Sequence, residues 1–125
     1  MQGNSVAQKK AFDFSLLIIQ LYKKMIEQKE FVLSKQLLRC GTSIGANIEE
    51  ALAAQSRKDF VHKMSIASKE ARETLYWLRL LKASKLVSLT IDEYLNSADE
   101  IVRILTSIVK TSSLNGVNSK LKIKN

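Results

Sequence analysis

Proline is absent from this chain of 125 residues, and glycine occurs at only four positions. Proline and glycine are the residues that most often end or interrupt helices, so their scarcity favours a few long helices. A chain of this length can bury a hydrophobic core as one domain without disulfide or metal support. The composition therefore predicts a single all-α domain.

Cysteine and histidine each occur once, as Cys40 and His62. A lone cysteine cannot form an intramolecular disulfide, which is typical of a reducing compartment, and we expect the cytoplasm. One His and one Cys do not supply the ligands of a zinc site, and the paired Glu-x-x-His motifs of a di-iron bundle are missing. No glycine-rich phosphate loop is present. We therefore expect no metal, no cofactor, no catalytic residues and no enzymatic activity.

Long apolar runs are also missing. The longest nearly apolar stretch, residues 14–26, is interrupted by Gln20, Lys23 and Lys24 and is too short and too polar to span a bilayer. No small-residue cleavage site follows it, as a signal peptide would require. We expect no membrane partner.

Apolar residues recur at spacings of three and four in four segments, which predicts four amphipathic helices. We place them at residues 5–28, 31–55 and 56–83 and in a segment that begins near Thr90. Ser56 with Asp59, and Thr90 with Glu93, have the spacing of capping boxes and mark two of the starts. The predicted core residues are Phe14, Leu17, Ile18, Leu21, Tyr22 and Met25 in the first helix, Leu33, Leu37, Gly41, Ile44, Ile48 and Leu52 in the second, Phe60, Met64, Ala67, Ala71, Leu75 and Leu78 in the third, and Ile91, Tyr94, Ala98, Ile101, Leu105 and Ile108 in the fourth.

Long helices joined by short connections pack as antiparallel neighbours, so we predict an up-down-up-down four-helix bundle over residues 1–111. Residues 112–125 change in composition to Ser, Asn and alternating lysines, and we assign them to a basic C-terminal tail.

The side of the second helix opposite its core residues has few bulky charges. Small residues on a helix surface let a second backbone come close, which predicts an oligomer interface there. The alternative is an alanine-rich exposed helix. The predicted interface residues are Thr42, Gly45, Ala46 and Ala53.

The formal net charge is +8, and half of it falls on the third helix, whose segment 56–84 has seven Lys or Arg and three Asp or Glu. Cations with one interleaved aromatic lie on one face of this helix, and we call this set the basic stripe. Such a row can follow a phosphate backbone and stack a base, although a solvated charged face with a packing tyrosine is the alternative. The basic stripe consists of Lys58, His62, Lys69, Arg72, Tyr76 and Arg79. Beside it lies an acidic and aromatic strip that can meet basic residues of another helix or subunit, formed by Asp59, Ile66, Glu70, Glu73 and Trp77.

The middle of the chain resembles a known bacterial family. The residues that carry the resemblance are QLLR at 36–39, GTSIGANIEEA at 41–51, KEARET at 69–74 and YWLRLL at 76–81. They are similar to four-helix-bundle proteins related to 23S ribosomal RNA intervening-sequence proteins and to the accessory variability proteins of retroelements. The resemblance covers roughly residues 10–110. It implies a bundle that assembles into a ring-like homopentamer, with relatives that bind reverse transcriptase and nucleic acid through basic surfaces.

Two functions remain open from the sequence. We expect a non-catalytic oligomer that binds RNA or DNA through the basic stripe. The alternative is a protein scaffold or adaptor with no nucleic-acid role, in which the basic stripe binds an acidic protein partner.

Overall fold

The structure is a computed structural model that describes the backbone of residues 2–124 and the side chains of residues 4–114. The described backbone contains four α-helices and no strand. They are α1 (Gln2–Glu27), α2 (Leu33–Leu52), α3 (Arg57–Ser84) and α4 (Asp92–Lys124). The prediction of an all-α chain with four helices is confirmed. Among the described residues, none of the helices has an apolar stretch that could span a bilayer.

Helix α3 begins where its capping box predicts. Ser56 is extended, with φ −141° and ψ 157°, and its Oγ accepts a hydrogen bond from the Asp59 amide at 3.1 Å. The predicted cap at Thr90 is wrong by one residue, because α4 begins at Asp92 and the Leu95 amide donates to the Ile91 carbonyl at 3.0 Å. Ile91 is buried, so apolar packing rather than a polar side chain fixes this helix start.

Helix α2 begins two residues later than predicted, and a carboxylate caps its first turn. The Glu30 side chain accepts hydrogen bonds from the amides of Val32 at 3.1 Å, Leu33 at 3.0 Å and Ser34 at 2.7 Å. Partial burial acts to raise the pKa of Glu30, but these amides favour the ionised form and leave the pKa below its ordinary value. Glu30 thus satisfies amide groups that the helix cannot pair internally.

The core lies between the four helices and contains most of the predicted residues, including Phe14, Ile44, Ile48 and Leu105. Those of the predicted set that are half-buried at its edge are Leu17, Tyr22, Leu33, Phe60, Leu75 and Ile108. Leu52 is a wrong prediction, since 39% of it is exposed. Helix α2 ends at this residue, and the neighbouring Ala51 occupies the buried position instead.

Each helix packs against two others. Helices α1 and α2, α2 and α3, α3 and α4, and α1 and α4 are neighbours, whereas the backbones of α1 and α3 do not come close to each other within the described residues. Helices α1 and α3 therefore lie diagonally across the core from each other. Polar pairs close two of the outer edges, with Gln8 Nε2 donating to Glu49 Oε1 at 2.9 Å and Lys10 bound to Glu100 at 2.6 Å.

Helix α4 runs without a break through residue 111, where the sequence predicts that the bundle domain gives way to the tail 112–125. Most of the tail's side chains lie outside the described residues. Its separation from the domain 1–111 stays a prediction.

Candidate nucleic-acid interface

Helix α3 holds all six residues of the basic stripe on its outward face. This face lies opposite the buried Met64, Ala71 and Leu78, because three- and four-residue spacing keeps each set on its own side of the helix. At 1.5 Å per residue, the stripe is about 31 Å long from Lys58 to Arg79. Every member of the stripe is exposed. The predicted grouping therefore exists as one exposed row of side chains along α3.

The cations of the basic stripe are free of carboxylate partners. Within the described residues, Lys58, Lys69, Arg72 and Arg79 make no ion pair; the ion pairs present are Lys9–Asp13, Lys10–Glu100, Arg39–Glu70, Arg39–Glu73, Lys63–Glu50, Lys82–Asp92 and Arg103–Asp99. Other unpaired cations, such as Lys23, are spread over the four helices and their connections. The stripe is thus a line of uncompensated charge.

Arg72 is held by a neutral partner. Its Nη2 donates to Thr106 Oγ1 on α4 at 2.9 Å, and this hydroxyl donates in turn to the Val102 carbonyl at 2.7 Å. The guanidinium therefore lies over the seam between α3 and α4 and keeps its full charge and its remaining donors.

Two carboxylates of the acidic strip, Glu70 and Glu73, are bound from another helix. Arg39 of α2 binds Glu70 Oε2 at 3.4 Å and also binds Glu73. This confirms that the acidic strip meets a basic residue of another helix, although Arg39 itself was missed by sequence reasoning. Lys69 lies four residues before Glu73 on α3 but does not pair with it, since Arg39 binds Glu73 instead. Neither carboxylate forms an ion pair with a cation of the stripe.

Two aromatic residues extend this network to the surface. Trp77 Nε1 donates to Glu73 Oε2 at 3.0 Å. The Tyr76 ring meets the Trp77 ring edge-on, with centroids 5.3 Å apart and planes at 67°. Trp77 is half-buried, whereas Tyr76 is 54% exposed among the cations. A chain of contacts therefore links Arg39 of α2 to the exposed aromatic of the stripe.

The predicted interface residues of α2 fall into two environments. A Cβ built at Gly45 would lie 3.6 Å from Ser15 Oγ and 3.7 Å from the Ala11 carbonyl oxygen, so Gly45 lies at the contact with α1 of the same chain. Thr42 is half-buried, and its Oγ1 donates to the Leu38 carbonyl at 2.6 Å. Ala46 and Ala53 are exposed, as an interface with another chain requires.

An apolar outer face on α1 was missed by sequence reasoning. Phe12 is 62% exposed, Leu16 is 48% exposed and Ile19 is 36% exposed. Their spacing of four and three residues puts them on one side of the helix, away from the buried Phe14 and Ile18. The sequence alone could have indicated this face, because α1 has apolar residues on its outer side as well as on the side that packs into the core. The hydrogen bond from Gln8 to Glu49 joins this side of α1 to the outer part of α2.

Other chemistry on the molecule is sparse. No three His, Cys, Asp or Glu side chains of the described part are grouped closely enough to hold a metal ion. Cys40 is fully buried, and burial raises the pKa of its thiol, which keeps it protonated and poorly nucleophilic. An open groove of about 550 Å³ lies at one end of the bundle, with Phe60 and Ile108 on its apolar side and Arg57 as its one titratable side chain.

Comparison with known proteins gives the family of the chain and a similar fold. The 23S rRNA-intervening sequence protein family matches residues 4–107, and the chain belongs to this family. It is also similar to a protein with unknown function from the S23 ribosomal protein family of Bacteroides thetaiotaomicron, known from a crystal structure. The two are 49% identical, with a TM-score of 0.82 and a match that covers 86% of this chain and 98% of that one. No functionally curated protein matches the chain.

Proposed function

We propose that this protein is a non-catalytic cytoplasmic homo-oligomer that binds RNA or DNA through the basic stripe of α3. The main support is that the cations of this stripe have no carboxylate partners in the described structure. Four of its cations lie along one face of α3 and form no ion pair within the described residues. The neighbouring Glu70 and Glu73 are bound by Arg39 of α2 instead. A row of uncompensated cations attracts a polyphosphate by releasing its condensed counterions. Membership of a family described by a ribosomal RNA element is consistent with such a ligand.

The bundle topology that fits this proposal is antiparallel, up-down-up-down. Along the seam of α2 and α3, Arg39 binds Glu73 whereas Glu50 binds Lys63, so residue numbers rise on one helix as they fall on the other. The short connections 28–32 and 53–56 suit the same arrangement.

Self-association is the second part of the proposal. The outer face of α1 exposes Phe12, Leu16 and Ile19, and Ala46 of α2 lies on the adjoining helix. Exposed apolar clusters of this kind mark protein interaction sites. We propose a homopentamer, in keeping with the family resemblance. Because α1 lies diagonally opposite α3, assembly through α1 and α2 leaves the basic stripe free, and several stripes in one particle would bind a long polyanion with avidity.

Salt-dependent binding tests the role of the stripe. We expect the wild-type protein to bind RNA and DNA, with affinity falling as salt is raised. Lys69→Ala combined with Arg72→Ala should make the logarithmic salt slope less steep by about 0.7–0.9 per lost phosphate contact. The matched control is Lys23→Ala with Lys24→Ala, which removes the same charge from exposed cations of α1 and should leave the slope close to that of the wild type.

The result also separates this function from its alternative. Equal losses in both double variants would mean that net charge, and not the stripe, attracts the nucleic acid. If the wild-type protein binds neither RNA nor DNA at low salt but binds an acidic protein of matched charge, the scaffold or adaptor function replaces the one proposed here.

A further inference from the structure

Tyr76 has no evident role in the folded core. Of the three tyrosines, Tyr94 is buried and Tyr22 is half-buried, and only Tyr76 is exposed, at 54%. A largely solvated aromatic ring contributes little apolar burial to folding. Its position between Arg72 and Arg79 in the basic stripe therefore calls for another explanation.

The structure holds this ring in place from one side. Trp77 is fixed by the hydrogen bond from its Nε1 to Glu73 Oε2 at 3.0 Å, and Glu73 is itself bound by Arg39. The edge-on contact, with ring centroids 5.3 Å apart, rests Tyr76 against this fixed neighbour, and 54% of the residue stays exposed. A ring that is restrained before binding loses less conformational entropy when a ligand stacks on it.

The cations beside Tyr76 lie on either side of it along the helix, in an order that suits one nucleotide. Arg72 and Arg79 lie four residues before and three residues after Tyr76, so each is its neighbour on the helix surface, one turn away. In a nucleic-acid strand, each base is likewise attached between two successive phosphates. The order cation, aromatic ring, cation on α3 thus matches the order phosphate, base, phosphate of an unpaired nucleotide.

From this arrangement we infer that the basic stripe binds single-stranded nucleic acid, with an unpaired base stacked on Tyr76 and its flanking phosphates on Arg72 and Arg79. The inference rests on the proposed function and names its substrate class. A duplex does not satisfy this site, because its bases are already paired and stacked and only its phosphates are open to a helix face. A strand with exposed bases gains the stacking contribution as well as the charge contribution.

The test compares single-stranded RNA and DNA of about 20 nucleotides with their duplexes at one salt concentration, with fluorescence anisotropy as the readout. Tyr76→Ala should weaken single-strand binding about five- to 150-fold, the range expected for one lost base stack, and should leave duplex binding unchanged. Tyr76→Phe keeps the ring and should bind as the wild type does. Lys69→Ala is the charge control and should weaken single strands and duplexes by similar factors.

The outcomes distinguish this inference from the function on which it rests. If Tyr76→Ala leaves single-strand binding unchanged, or weakens both forms equally, the stacking site is overturned while nucleic-acid binding stands. If the wild-type protein binds neither form, both are overturned. Light scattering and circular dichroism should show each variant folded and assembled, since all the altered side chains are exposed.

Discussion

Two glycines of α2 differ in the space around them, although they lie only one turn apart. A Cβ built at Gly41 would lie 2.9 Å from both Cγ1 and Cγ2 of Ile18 and 3.3 Å from its Cβ. These atoms belong to a fully buried β-branched side chain that cannot move aside easily. Gly41→Ala should therefore lower the free energy of unfolding by about 1–2 kcal/mol, because overpacking outweighs the better helix propensity of alanine. Urea unfolding measures the change.

Gly45→Ala is the matched control for this prediction. Its new Cβ would make only ordinary contacts, 3.6 Å or more from Ser15 and Ala11. Alanine should then stabilise the helix by about 0.5–1 kcal/mol. Opposite signs for the two variants are the expected result. A stabilising Gly41→Ala would mean that α1 and α2 are farther apart than the structure has them.

Glu30 makes stability depend on pH. Its carboxylate is bound by the amides of Val32, Leu33 and Ser34, and its pKa is lowered from the ordinary value of 4.5. A group whose pKa is lower in the folded than in the unfolded chain stabilises the fold above its unfolded pKa and loses that contribution as the pH falls through the folded value. Glu30→Gln should therefore cost about 1 kcal/mol at pH 7, and the difference from the wild type should shrink below pH 4.5.

Urea unfolding of both proteins over a range of pH measures this effect. Glu27→Gln is the control, since Glu27 is an exposed carboxylate near the same connection with no hydrogen bond to an amide of α2 in the described structure. A deficit for Glu30→Gln that stays constant as the pH falls would contradict an ionic cap on α2.

Two residues of α2 that lie one turn apart differ in burial, and their substitution tests which face of this helix is in the core. Ile48 is fully buried and Leu52, one turn later, is 39% exposed. Ile48→Ala should lower the free energy of unfolding by about 2–5 kcal/mol, because it removes apolar burial and leaves a cavity. Leu52→Ala deletes a side chain of the same size from the same helix and should cost much less. Thermal or urea unfolding of the two variants measures these losses. Equal losses of unfolding free energy for Ile48→Ala and Leu52→Ala would contradict the deeper burial of Ile48.

The four helices and their core stripes could be predicted because periodicity is a local signal. Residues such as Ile44 and Ile48 are spaced to share one face whatever surrounds them. The helix ends were less predictable. The start of α4 depends on the burial of Ile91, and the start of α2 depends on a carboxylate at Glu30 that belongs to no standard capping pattern. Both depend on neighbouring segments rather than on residues within the helix.

The candidate nucleic-acid interface likewise has one part that could be predicted from the sequence and one part that could not. The basic stripe lies on one helix, so the spacing of Lys58, Lys69 and Arg79 was enough to bring its members together. The link between Arg39 and Glu73 spans 34 residues and two helices, and it could be recognised only once their packing was known. The composition of the acidic strip predicted that it would meet a basic residue, but the sequence did not indicate which one.

At the scale of the whole molecule, two faces lie on opposite sides of the core. The apolar face of α1 is proposed to bind other copies, and the face of α3 is proposed to bind nucleic acid. Leu16→Glu should break the oligomer, because it places a charge among Phe12 and Ile19, and Ala46→Arg should act likewise. Light scattering measures the mass. Both variants should also bind long nucleic acid more weakly, since avidity is lost.

Leu80→Glu is the matched control for assembly, since Leu80 is a similarly exposed leucine, at 38%, but lies on α3. It should leave the mass of the oligomer unchanged. A wild-type monomer at micromolar concentration, or dissociation by Leu80→Glu as readily as by Leu16→Glu, would contradict assembly through α1 and α2.

Trp77 gives the molecule a natural optical probe. It is the single tryptophan of the chain, so all indole emission comes from one place, directly beside Tyr76. The indole is hydrogen-bonded to Glu73 and half-buried, and its emission wavelength and lifetime therefore respond to the polarity and charge around the basic stripe. A ligand on this face should quench or shift the signal, whereas events on the far face of α1 should not. Occupancy of α3 can thus be followed in the unlabelled protein.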